Sequence, residues 1–307
     1  MNILIVGAGA LGSLIGARLS KTRASVSLFS TDREHMEAVR QSGLDIEELD
    51  DTIGNYRLSA FCEVDKLPAG PDLALILVKA YATREALALV RDICSASTVY
   101  LTLQNGIGNW ERIAEITGKE SVLAGSTAQG STLLRPGLIR HGGNGATYIG
   151  EPDGRSSERV GRVVRLFQEA GLVTEPSVEI DRLIWEKLVI NVGINAITGL
   201  TGIRNGLIAE MPEATELCKS AVEEALAVAR SKGFQLGMEM VDRVIGVARA
   251  TARNRSSMGQ DVDKKKKTEI DAINGAVVRL GEEAGIPTPV NRTLTSLVKV
   301  LEAQYGR

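Results

Sequence analysis

Apolar positions follow two rhythms along this chain, and the change between them divides it. Ile3, Leu4, Ile5 and Val6 form a run without polar interruption, as in a strand buried on both faces. Further strands are expected at 26–29, at 73–78, where the run is again fully apolar, at 99–103, a similar run, and at 122–127. Between the first two, Leu11, Leu14, Ile15 and Leu19 recur at helical spacing. Partial alternation at Leu44, Ile46, Tyr56 and Leu58 predicts short strands and loops over 41–66, and 137–150 reads as a glycine-rich pair of strands. Val160, Val163, Val164 and Phe167 mark a helix closed by Gly171, before a last short strand at 173–176. Past Ser177 the spacing predicts helices near 179–200, 213–232, 239–254, 262–284 and 290–304, punctuated by Gly233, Gly285 and Pro287.

The first strand stops at Gly7-Ala8-Gly9-Ala10-Leu11-Gly12, which fits G-x-G-x-x-G between a strand and a helix. In that context the motif predicts dinucleotide binding. Gly7 allows the tight turn, Gly9 lets backbone approach a pyrophosphate, and Gly12 lets helix and strand pack closely. The N–H groups of the helix start then face the phosphates. The expected fold is α/β: an N-terminal Rossmann-type parallel sheet over 1–177 and a C-terminal all-helical domain over 178–307.

Asp32 stands twenty residues after Gly12, where a carboxylate would bind the ribose 2′-hydroxyl of NAD. Thr31 and Arg33 flank it and suit the 2′-phosphate of NADP instead, so the signal is split. Lys79 follows the run at 73–78 directly, and Gln104-Asn105-Gly106 follows the run at 99–103. Both fall at carboxyl ends of predicted parallel strands, the edge that carries ligands in open α/β sheets.

In the helical half, 183–196 is apolar nearly all round, as a buried helix is. Lys187, Asn191 and Asn195 nevertheless align at i, i+4 and i+8 as one polar stripe. A lysine with two amides suits an anionic, carbonyl-bearing substrate, and burial would lower the lysine pKa toward that of a working acid. A structural polar seam is the competing explanation. Ser256-Ser257-Met258 and Thr268-Glu269-Ile270-Asp271, with Asn274 after them, form a second constellation, in which serine and asparagine offer donors and Glu269 could orient an ammonium; taken alone they read as common surface residues. The only histidines, His35 and His141, are poorly placed for catalysis, so lysine leads as the acid. The lysines at 264–267 are expected on a helix, mostly solvated, with no functional role.

Composition narrows the partners. Net charge is -2, charged residues are 24% and aromatics 4% of 307 residues, which gives no footprint for nucleic acid or a membrane surface. The first strand begins right after Met1, leaving no room for a signal peptide, and no apolar run reaches the ~18 residues of a membrane helix. Three cysteines, none in a C-x-x-C pair, read as free thiols in a reducing cytoplasm, with no metal site.

These pieces together resemble the ketopantoate reductase (2-dehydropantoate 2-reductase) family over nearly the whole chain. The resemblance rests on 7–12, Val78-Lys79-Ala80, Leu103-Gln104-Asn105-Gly106, Trp185-Glu186-Lys187-Leu188 with Asn191 and Asn195, and the two stretches around Ser257 and Glu269. It implies Lys187 as general acid and Glu269 as its partner in catalysis. It also implies Asn191, Asn195 and Ser257 as substrate contacts, with Lys79 and Asn105 lining the cofactor and substrate cleft between the domains. The implied reaction is NADPH-dependent reduction of a 2-keto acid, ketopantoate, on the route to pantothenate. A homodimer is compatible with it. Two positions depart from the family pattern. Thr31 stands where an arginine is common, with Arg33 displaced by two, and Ala196 stands where proline often follows the second asparagine. The departures keep open another branched 2-keto acid as substrate. A non-catalytic NADP(H)-binding sensor is the alternative of a different class; it would need no proton donor, which retention of Lys187 and Glu269 opposes.

Overall fold

A computed structural model describes residues 1–306. The chain divides into two compact units. The first comprises Met1–Gln104 and Gly108–Asp181; the second comprises Asn105–Ile107 and the chain from Arg182 onward.

The first unit carries ten strands: β1 (Asn2–Val6), β2 (Ser25–Phe29), β3 (Leu44–Glu47), β4 (Ile53–Tyr56), β5 (Ser59–Phe61), β6 (Leu73–Ile76), β7 (Val99–Thr102), β8 (Val122–Arg135), β9 (Leu138–Gly150) and β10 (Thr174–Pro176). Its helices are α1 (Ala10–Leu19), α2 (Arg33–Ser42), α3 (Thr83–Val90), α4 (Asn109–Thr117) and α5 (Glu158–Glu169). Strands β5-β2-β1-β6-β7-β8 lie side by side, all parallel. Numbered among themselves they give the order 3-2-1-4-5-6 of a doubly wound dinucleotide fold, with the strand order reversing at β1. The uninterrupted apolar runs follow from burial on both faces. Ile3 and Ile5 pack with Leu14, Ile15, Leu28 and Phe167, while Leu4 and Val6 pack with Phe29, Leu87, Val90 and Ile113.

The glycine-rich stretch differs from expectation. The strand expected over 122–127 continues to Arg135, turns at Gly137 (φ 76°) and returns as one strand, β9, rather than as a pair. The glycines serve close approach: a Cβ on Gly145 would lie 2.4 Å from Ala128 Cβ. Such glycines mimic turn signals in sequence while allowing the ladder to bulge.

The second unit contains α6 (Ile180–Thr201), which begins just before it, then α7 (Leu207–Glu210), α8 (Pro212–Ser231), α9 (Glu239–Ala250), α10 (Ser257–Asp263), α11 (Asn274–Ala284) and α12 (Pro289–Glu302). Gly193 sits at the crossing of α6 with α8 and α9, where a Cβ would meet Val244, Cys218 and Val222 at 2.8–2.9 Å. Two expectations are corrected here. Helix α6, at 22 residues, is long and apolar enough by length and composition to cross a membrane, although 67% of its most apolar window is buried, as in a core helix. The helix expected over 262–284 is broken: α10 ends at Asp263, the lysines at 264–267 lie in an exposed turn with Lys265 at φ 50°, and α11 starts only at Asn274. Apolar spacing continues across the gap, but the backbone of 268–273 is held by groups from elsewhere in the unit, described below.

Candidate active site

In the first unit the turn after β1 is fixed mainly by backbone, with Ser13 Oγ donating to Ala8 C=O at 3.3 Å. The N–H groups of Gly7 and Ala8 both donate to Phe29 C=O, at 2.9 and 3.0 Å. Gly7 has φ 100°, and a Cβ there would lie 2.3 Å from Val78 N. A Cβ on Gly12 would lie 2.3 Å from Gly7 O. Gly9 differs: it is exposed, and nothing stands within 4 Å of where its Cβ would be. It occupies the N-cap of α1 without a side-chain cap, so the first-turn N–H groups of Ala10, Leu11 and Gly12 have no partner within the helix. Two glycines therefore serve the fold, and one leaves room for a ligand at uncapped donors. These residues fit a pyrophosphate.

The end of β2 is more committed. Asp32 caps α2 by accepting the His35 N–H at 3.1 Å. Arg33 is exposed and pairs with Glu63 at 3.2 Å; Lys66 holds the other oxygen of that carboxylate at 2.5 Å. Thr31 is exposed beside them. His35 has a structural task. Its Nδ1 accepts the Gly137 N–H at 3.0 Å, which leaves Nε2–H to donate to Ser13 Oγ at 2.9 Å. Burial lowers its pKa, favouring the neutral ring. His141 is likewise engaged, between Glu48, Arg18 and Gln129. Neither ring reads as an acid–base group.

Lys79 is partly buried three residues past β6. Gln104 was legible in the motif but unassigned, and it locks the strand ends. Its Nε2 donates to Val78 C=O at 2.6 Å and Thr83 Oγ1 at 2.9 Å, and its Oε1 accepts from Thr102 Oγ1 at 2.9 Å. Gln104 thereby fixes the backbone immediately before Lys79.

In the second unit, α6 carries the polar stripe. Leu188, Val189 and Val192 are buried around it, Lys187 and Asn191 are partly buried, and Asn195 is 5% exposed. Desolvation pushes the Lys187 ammonium down to about 8, against the opposing charge of Glu269. Asn191 Nδ2 is buried and has no hydrogen-bond partner among the described residues. An unsatisfied buried donor costs stability unless an acceptor arrives, so this atom fits a ligand oxygen. The two serines of 256–258 separate by role. Ser256 caps α10 by accepting the Gly259 N–H at 2.9 Å and takes a bond from Thr198 Oγ1 of α6 at 2.7 Å. Ser257, partly buried, follows it at the first position of α10.

Glu269 is 6% exposed, in the break between α10 and α11. Asn105 Nδ2 lies 3.4 Å from its Oε2. The neighbouring backbone is tightly docked: Ile107 N–H donates to Ala272 C=O at 3.1 Å, and a Cβ on Gly106 (φ 86°) would lie 2.3 Å from that oxygen. Among the described residues no cluster of three or more His, Cys, Asp or Glu is placed to hold a metal ion. Within this unit the structure thus gathers a desolvated lysine, a buried carboxylate acting on it and an unpaired amide donor. That set can protonate an oxygen and hold an anion.

Residues 3–154 match the family described as Ketopantoate reductase PanE/ApbA, and residues 179–302 match Ketopantoate reductase PanE/ApbA C terminal. The 2-dehydropantoate 2-reductase of Halobacterium salinarum is 36% identical over 302 residues, covering 98% of this chain and 99% of that one. That of Archaeoglobus fulgidus is also 36% identical over 302 residues, covering 98% of each. Among solved structures, a PanE/ApbA family ketopantoate reductase from Ralstonia eutropha has TM-score 0.91 at 29% identity over 100% of both chains. D-mandelate dehydrogenase, in a ternary structure with NADH and anilino(oxo)acetate, has TM-score 0.93 at 25% identity over 100% of both.

Proposed function

The chain belongs to the ketopantoate reductase family, oxidoreductases that act on a 2-keto acid with a nicotinamide cofactor, and we propose that it reduces 2-dehydropantoate to pantoate with NADPH. The observation that carries this reading is the stripe on α6, where a lysine tuned to about 8 stands one turn from an unpaired amide donor. Full-length relatives that bear the name 2-dehydropantoate 2-reductase support the substrate.

The residues then take the following roles. The N–H groups of Ala10, Leu11 and Gly12 hold the pyrophosphate. A reduced nicotinamide, when bound, supplies the hydride that reaches the ketone carbon. Negative charge develops on the ketone oxygen, and the Lys187 ammonium stabilises it and delivers a proton there. With a pKa near 8 the lysine is largely protonated at neutral pH yet gives up its proton readily. Glu269 keeps that ammonium charged and, with Asn105, lines the reacting end. Asn191, Asn195 and Ser257 offer donors to the substrate carboxylate and hydroxyl. Lys79 adds positive charge for an anionic ligand.

Arg33 and Thr31 support NADPH, with Lys66 adding a second cation nearby. NADH is a second reading, favoured by Asp32 at the NAD spacing and by the pairing of Arg33 with Glu63. Oxidation of NADPH and of NADH across a panel of 2-keto acids tests the proposal. Preferred turnover of 2-dehydropantoate with NADPH is expected; a tenfold higher kcat/KM on another 2-keto acid, or with NADH, overturns the corresponding part. Absence of turnover on every keto acid, with cofactor still bound, would favour a sensor.

A further inference from the structure

Helix α12 meets the Glu269 segment near both of its ends. At its last turn, Glu302 Oε1 accepts the backbone N–H of Thr268, the residue before Glu269, at 2.7 Å. Lys299 pairs with Asp271, two residues after Glu269, at 2.6 Å. Near the start of α12, Asn291 Oδ1 accepts from Asn274 Nδ2 at 2.9 Å, and the same amide reaches Val192 C=O at 3.3 Å, between Asn191 and Asn195 on α6. Asn291 is itself fixed by Glu224 on α8, whose oxygens accept the N–H groups of Val290 and Asn291 at 2.8 and 2.9 Å and the Asn291 amide at 2.7 Å. Asn274 and Asn291 are both 0% exposed.

Apolar side chains would join these helices without the penalty of burying amides and a carboxylate. Hydrogen bonds add direction. The peptide before Glu269 has no helical ladder to orient it, and the Glu302 carboxylate supplies its acceptor. The relay Glu224–Asn291–Asn274 then ties the end of the same segment to α6 at the level of the polar stripe. We infer that α12 is the frame that aims Glu269 at Lys187, with Glu302 and Asn291 as positioning residues. This rests on the roles proposed above for Glu269 and Lys187.

The test is a double-mutant cycle on the full chain, read as kcat/KM for the best keto acid. Glu302→Ala removes the acceptor, while Glu302→Gln keeps an oxygen in its place. Glu302→Ala should lose about 10- to 100-fold, the scale of a misplacement near 1 Å, with unchanged cofactor affinity, and Glu302→Gln should remain within about threefold of wild type. In a Glu269→Gln background, Glu302→Ala should add less than about twofold, because groups acting as one unit are strongly non-additive. If Glu302→Ala does not fold, the cycle is read on Glu302→Asp, which withdraws the carboxylate by one methylene. Equal multiplicative losses in both backgrounds, equal losses for Ala and Gln, or no loss at all overturns the inference. Full turnover by Glu269→Gln alone instead overturns the role given to Glu269.

Discussion

The glycine turn after β1 and the segment around Glu269 are both short irregular stretches, and they draw mainly on different parts of the chain. The turn is made mostly of backbone. A Cβ on Gly7 or Gly12 would lie 2.3 Å from a main-chain atom, and no side chain caps the helix that follows. The Glu269 segment is docked by backbone at one point, Ile107 on Ala272, and otherwise held by side chains drawn from distant parts of the chain: Glu302 on Thr268, Lys299 on Asp271 and Asn291 through Asn274. A backbone-built site is compact in sequence and intolerant of an added atom where main chain meets main chain, as at Gly7 and Gly12. A side-chain-built site is dispersed and exposed to changes made far away. The first suits a ligand part shared by many enzymes; the second can be retuned for one substrate.

Replacing the acid should give the largest effect. Lys187→Ala should lower kcat by ~10²–10⁴-fold while NADPH titration stays near wild type, because the glycine turn belongs to the other unit. Next comes a contrast within the turn. Gly7→Ala and Gly12→Ala force a Cβ into backbone and should lower Tm as well as cofactor affinity, at a cost on the order of 1–3 kcal/mol. Gly9→Ala meets nothing in the protein, so it should melt like wild type and lose affinity about tenfold through the ligand alone. Calorimetry beside fluorescence titration separates the two, and equal melting losses for all three glycines would erase the distinction. A smaller effect is expected at Arg33. Arg33→Ala should weaken NADPH several-fold more than NADH, as removal of an exposed ionic contact does; equal loss shows that Arg33 does not read the 2′-phosphate. The smallest concerns His35. Its pKa is lowered in the folded state, so the unfolded chain binds the extra proton first. Stability should therefore fall as pH drops below about 6.5, and His35→Gln should flatten that part of the curve in denaturant titrations.

The same contrast explains what could be read in advance. The runs around Ile5, Leu75 and Leu101 announced parallel strands because burial on both faces leaves few polar residues, Thr102 among them. The stripe of Lys187, Asn191 and Asn195 was visible because helical periodicity isolates polar residues on an apolar helix. Glu269 could be picked out only through family resemblance: taken alone it looks like a surface carboxylate. The break between α10 and α11 was invisible because Val262, Ile270 and Ile273 keep helical spacing, and what interrupts the helix comes from α12. Glu224, Asn291 and Glu302 resemble solvated positions of amphipathic helices, and only tertiary contacts reveal them as anchors. In β8 and β9, glycines that allow close approach read as turns.

In the proposed mechanism Lys187 is a lysine tuned by burial and by Glu269 to act as an acid. The most direct measurement is the pH dependence of kcat/KM for keto acid reduction in the wild type and in Glu269→Gln. The rate should fall as pH rises through about 8, where the ammonium deprotonates. Glu269 raises that pKa against desolvation, so its neutralisation should move the falling limb to lower pH. A wild-type profile flat to pH 10, or a limb that Glu269→Gln leaves in place, would contradict it.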